Sequence, residues 1–189
     1  TFFANRNFVL TTSVGLAVGI FMFGSMSYLP TYLQMVHAMS PTTAGLMMTP
    51  MMLGVMGTST IVGGIVSRTG KYKRYPIIGM IATAAALALL STLEPDTSLV
   101  VIGLYLFLLG FGVGNAMQIL VLIVQNSFPI AVVGTATAAN NFFRQIGGAI
   151  GSALVGGIFV ANLRDQLATR MPPAIQELGA GAANYKDML

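Results

Sequence analysis

Two amides one helical turn apart, Asn115 and Gln118, are the side chains of this sequence best placed to do chemistry. They fall near the middle of the apolar run Leu99–Gln125, where a polar group must face protein or water because lipid offers it no partner. Residues at that spacing share a face of a helix. Two readings are open: hydrogen bonding to a substrate or water in a central cavity, or a contact between helices. Arg144, the one charge inside an apolar run, either snorkels to the nearer surface or anchors a gate through helix-terminal carbonyls. Met47, Met48, Met51, Met52 and Met56 crowd around Thr49-Pro50; thioethers suit a wall that accepts varied apolar molecules, and they also serve as packing filler. Tyr28 and Tyr32 read as an interfacial belt, and His37 as a solvated loop residue.

The acids are all elsewhere. Glu94, Asp96, Asp165, Glu177 and Asp187 make up the five carboxylates, and each falls in a polar loop or in the tail. Proton-coupled transport needs a titratable group within the membrane, so a coupling acid would have to lie outside these runs. No apolar run holds His, Cys, Asp, Glu or Lys to act as base or ligand, which argues against an intramembrane hydrolase or metalloenzyme. No catalytic residue, metal or cofactor is expected. Gly110-Phe-Gly-Val-Gly114 superficially matches a dinucleotide loop, but it has no preceding strand and no following acid.

The elements that position these residues follow from composition. With 55% hydrophobic and 7% charged residues among 189, and a mean hydropathy of +0.80, the chain cannot coat a soluble globule and reads as an integral membrane protein. Five runs reach the roughly 20 residues that span a hydrocarbon core as helix: 8–29, 44–67, 76–93, 99–125 and 135–161. An all-α bundle is expected, since a barrel would alternate polar and apolar residues over about ten-residue segments.

Orientation comes from the short turn between the second and third runs. It holds Arg68, Lys71, Lys73 and Arg74, four of the nine basic residues. Short loops rich in Lys and Arg stay cytoplasmic, which places Arg6 and Ser127–Gly134 inside and Pro30–Thr43 and Glu94–Asp96 outside. Arg144 is then expected near the cytoplasmic start of the fifth run. The net charge of +4 reads as topology rather than as a nucleic-acid surface. The tail from Asn162 carries Arg164, Arg170 and Lys186 outside, against the charge rule. The chain opens at Thr1 without a start Met and has an odd number of spans, so a fragment with a sixth span beyond Leu189 is expected.

Small residues recur four apart: Gly15 and Gly19, Gly110 and Gly114, Gly147 and Gly151. That spacing lets helix backbones approach, as packing or as a sliding seam. The run 76–93 is apolar all round and should face lipid on much of its girth, whereas 99–125 and 135–161 carry the deep polar residues and should line an interior.

These features resemble the carboxyl-terminal half of a major facilitator superfamily transporter, and most of all the fourteen-span drug:proton antiporter family. Gly63, Ile65, Arg68, Gly70 and Lys71 match the superfamily's basic loop motif, with Ser67 in place of its Asp and Tyr72 in place of a second basic residue. Phe3-Ala-Asn-Arg-Asn-Phe8, Tyr28–Gln34 with Ser40–Leu46, and above all Gly134–Ser152 are similar to the drug-exporter branch. The resemblance implies that 1–161 is five helices of a six-helix half, with 162–189 a polar extracytoplasmic segment leading to the last span. It further implies a multi-pass protein of the cell membrane, whose partners are the bilayer, a second, amino-terminal bundle, an amphipathic substrate and protons. The rival readings are a carrier for one metabolite and a non-transporting membrane scaffold subunit.

Overall fold

The structure is a computed structural model that describes residues 2–170, with side-chain surroundings given for 2–162. Every regular element in that range is helical: a 3-10 turn at Phe2–Ala4, then α1 (Arg6–Val36), α2 (Pro41–Leu46), α3 (Thr49–Thr69), α4 (Tyr75–Leu90), α5 (Leu99–Ser127) and α6 (Ile130–Arg170). Four stretches are long and apolar enough to cross a membrane: α1, α2 with α3, α5, and α6 up to Asn162. The chain divides into two compact units, 1–152 and 153–189, and the described part of the second is the remainder of α6.

The helix ends depart from the sequence expectations in four places, each for a local reason. Helix α1 does not stop at Leu29 but runs through Pro30 to Val36. A proline removes one helical hydrogen bond, but Leu33 beyond it is fully buried and the Gln34 amide donates to the Pro30 carbonyl at 3.3 Å, so packing holds the last turns. The expected loop before the second span contains its own helix, α2: Pro41 opens it, and the Thr43 backbone N–H donates to the Ser40 hydroxyl at 3.2 Å.

Helix α4 ends at Leu90 rather than Leu93. The Ser91 and Thr92 hydroxyls bond back to the carbonyls of Ala88 and Leu89, at 2.7 and 2.8 Å, and terminate it. Its 16 residues span about 24 Å, the shortest of the five long helices. Helix α6 starts at Ile130, just past Pro129, and continues to Arg170, so 162–170 and Asp165 are helical rather than loop or tail. The remainder of the expected polar segment, 171–189, lies outside the described residues.

Helix α5 is the hub of the first unit. Over half of its apolar window is buried, a larger share than in any other candidate span. The glycines of 110–114 explain how it packs on two sides. Gly110 and Gly114 lie one turn apart and receive the backbones of Met51 and Val55 from α3. Gly112 points the other way, and a methyl group on it would come within 2.7 Å of the Gly79 carbonyl oxygen on α4. The stretch that superficially resembles a nucleotide loop is thus a two-sided packing surface. On α4 only Gly79, Thr83 and Ala86 are buried, a single stripe at helical spacing.

A second seam joins α1 to α6. A methyl group on Gly19 would meet the Arg144 carbonyl oxygen, one on Gly147 that of Leu16, and one on Gly151 that of Ile20. The Asn140 amide donates across this seam to the Thr12 hydroxyl at 3.3 Å, with both residues buried.

One end of the bundle is marked by Asn5, whose side chain donates to the Ser127 carbonyl at 3.3 Å. Phe2, Phe3, Phe8, Phe128 and Phe143 stack there edge to face. The basic turn lies at the same end of α5, because Tyr72 lines one cavity with Ile119, Leu122 and Asn126.

Candidate functional site

Asn115 and Gln118 do not share an environment. Asn115 is 2% exposed, and its Cβ would sit 3.0 Å from a methyl group placed on Gly79 of α4. Its Oδ1 is buried with no hydrogen-bond partner. Gln118 is exposed and leans over Gly63 of α3, which a methyl group would bring to 3.7 Å from the Gln118 amide nitrogen. The expectation of one shared face is corrected here: three residues differ by about 60° around a helix axis, enough on a helix packed on two sides to send one amide toward α4 and the other toward α3.

Gln118 opens onto a cavity of about 350 Å³ between α3 and α5. Ser67, Tyr72 and Asn126 add to its polar lining, Gly63 and Gly70 contribute backbone, and Val66, Ile119 and Leu122 form its apolar wall. The absence of a side chain at Gly63 leaves room beside the Gln118 amide. Ser67, where the loop motif carries Asp, bonds to the Gly64 carbonyl of its own helix at 2.9 Å and brings no charge. The cavity therefore offers hydrogen-bond donors and acceptors beside an apolar wall and no charged side chain, a lining suited to binding an amphipathic molecule rather than transforming it.

Arg144 sits further along its helix than the run 135–161 places it. With α6 starting at Ile130, Arg144 lies about 21 Å along that helix, opposite Gly19, itself about 20 Å into α1. It is half-buried, and its neighbour Phe143 reaches the aromatic cluster at the end of the bundle. The described carboxylates of known surroundings, Glu94 and Asp96, are exposed in the loop after α4. Among the described residues no three His, Asp or Glu side chains group as metal ligands would.

The methionine cluster also divides. Met48 and Met51 are core, at 6% and 2% exposed, while Met52 and Met56 face outward at 52% and 69%. His37 caps α1, rests edge-on against Tyr32 with centroids 6.2 Å apart, and has a buried Nε2, so it is not a freely solvated loop residue.

The basic turn is built by backbone geometry. Gly70 takes φ 66°, a left-handed conformation that favours glycine, and its N–H returns to the Val66 carbonyl at 2.8 Å to close α3. Lys71, Lys73 and Arg74 follow, all exposed, before Pro76 opens α4.

Sequence reasoning missed the pairing of Asn140 with Thr12 and the close bond between Ser27 and Ser152 at 3.2 Å. Both join residues more than a hundred positions apart, and only the register of the glycine seam could have indicated them.

A family model described as Major Facilitator Superfamily matches residues 1–152. The chain is 34% identical over 187 residues to the multidrug transporter protein MdtP of Bacillus subtilis, covering 99% of the chain and 34% of that protein. It is 38% identical over 169 residues to an uncharacterized MFS-type transporter of Mycobacterium tuberculosis, covering 89% of the chain and 25% of that protein. With a tetracycline resistance determinant of Streptomyces rimosus it shares 32% identity over 166 residues, covering 88% of the chain and 48% of the relative. The chain thus spans between a quarter and about half of the length of these relatives. Its glycine-packed apolar helices and this family match together make it a multi-pass protein of the cell membrane that belongs to the major facilitator superfamily.

Proposed function

We propose that this chain is part of a proton-coupled exporter of drugs or other amphipathic compounds that works by alternating access. The observation that carries the reading is the alignment along 99% of the chain with a protein named as a multidrug transporter. The mainly apolar cavity beneath Gln118 supports it, because it pairs hydrogen-bonding amides with an apolar wall and lacks a fixed charge that would select one ion. A second helical bundle of the same carrier supplies the opposing wall and the acid that couples transport to protons. Gln118 contacts substrate, and Arg144, beside the glycine seam, belongs to the gate between the bundles. The protein carries molecules and does not transform them.

The test is the tolerance profile of cells producing the full-length carrier in a host stripped of its own pumps. Raised tolerance to several unrelated lipophilic cations and dyes is expected. A shift confined to one compound would identify a single-substrate carrier, and no shift at all would point to a scaffold subunit.

A further inference from the structure

We propose that the α3–α4 turn forms a binding site for the phosphate of an anionic phospholipid, drawn from the leaflet against which the turn lies. A cavity of about 610 Å³ opens there between the end of α3 and the start of α4. Lys71, Lys73 and Arg74 line it, and their side chains have no ion-pair partner among the described residues. The acids nearest in sequence, Glu94 and Asp96, follow the opposite end of α4. Three cations held together without counter-ions repel one another, and an anion from outside the protein relieves that repulsion.

The rest of the cavity fits a lipid better than a soluble anion. Ile65 and Ile78 line its other side at 40% and 47% exposed, so apolar surface continues from the cationic rim along both helices, where acyl chains would run. Tyr72 and Tyr75 also line it, packed against the cluster of Val62, Val66 and Ile119. Such rings settle at the headgroup level of a bilayer. The site is also held in shape: Gly70 fixes the exit from α3, the Thr69 hydroxyl bonds the Ile65 carbonyl at 2.7 Å, and Tyr75 N–H bonds the Tyr72 carbonyl at 3.2 Å. Arg68, in the last turn of α3, belongs to the same basic stretch but does not line the cavity.

That difference supplies the control. The full-length carrier, purified in detergent, is titrated with phosphatidylglycerol and with phosphatidylcholine, and bound lipid is counted by native mass spectrometry. Phosphatidylglycerol should bind in preference. Each basic side chain near an anionic surface contributes about fivefold in affinity, so K73Q/R74Q should weaken phosphatidylglycerol binding more than tenfold, and K71Q alone by about fivefold. R68Q should change it less than twofold. Equal losses in R68Q and K71Q would mean diffuse attraction to the whole turn and would overturn the site. Displacement by glycerol phosphate at the same concentration as intact lipid would show a soluble-anion site and overturn the lipid assignment.

Discussion

Gly147 of α6 lies so close to Leu16 of α1 that a methyl group on the glycine would strike the Leu16 carbonyl oxygen. Gly151 stands in the same relation to Ile20, one turn further on, and Gly19 returns the contact toward Arg144. The obstruction is backbone in each case, so no side-chain rotation relieves it. Apolar helices in lipid gain no hydrophobic force from meeting each other, and this proximity is what holds α1 to α6.

Replacing Gly147 with Ala should therefore destabilise the intact carrier by about 1–3 kcal/mol, the usual cost of overpacking. Gly64→Ala is the matched control, because nothing lies within 4 Å of a methyl group there. It should be neutral or stabilising by up to about 1 kcal/mol, through helix propensity. Thermal unfolding in detergent followed by loss of soluble monomer compares the two, and equal midpoints would refute the close seam.

Asn115 and Gln118 should respond oppositely to Leu. Asn115 carries a buried Oδ1 without a partner, so Asn115→Leu removes a desolvated polar atom while keeping the number of side-chain heavy atoms, and it should leave stability unchanged or raise it by about 1–3 kcal/mol. Gln118→Leu should leave stability alone and change the set of compounds exported. Tolerance panels and unfolding midpoints on both variants separate the roles; a changed panel for Asn115→Leu with none for Gln118→Leu would reverse the assignment.

The bond between Asn140 and Thr12 is a buried polar link across the seam. A double-mutant cycle with Asn140→Leu and Thr12→Val should give a coupling energy of about 0.5–2 kcal/mol. Additive effects would mean that the two side chains do not act on each other.

The basic turn should set the orientation of the bundle. Lys71 and Lys73 are exposed, and the short turn between α3 and α4 should lie on the cytoplasmic side. A membrane-impermeant amine reagent should modify both in inverted vesicles and neither in intact cells, as read by peptide mass spectrometry. Modification from outside alone would turn the topology over.

Much of this architecture can be read from the sequence because membrane helices announce themselves by length. The runs 99–125 and 76–93 correspond closely to α5 and α4, and the spacing of Gly110 with Gly114 and of Gly147 with Gly151 marks the faces that meet. The boundaries at Pro30 and Ile130 were not legible, since helix continuation there is decided by what Leu33 packs against and by the two-residue link Phe128-Pro129. The start of α6 at Ile130 puts Arg144 more than a turn further along its helix than the run 135–161 implies. The separation of Asn115 from Gln118 was hidden for a different reason: spacing fixes an angle on one helix, but not which neighbour occupies that angle. Gly112, between the two paired glycines, supplied the missing information by facing α4.

The most direct test of the export reading uses inverted membrane vesicles containing the full-length carrier, an imposed pH gradient acid inside, and a fluorescent lipophilic cation outside. The dye should accumulate while the gradient lasts, be released when a protonophore collapses it, and be handled differently by Gln118→Leu. Accumulation that is absent, or that continues unchanged after the gradient is collapsed, would contradict proton-coupled export.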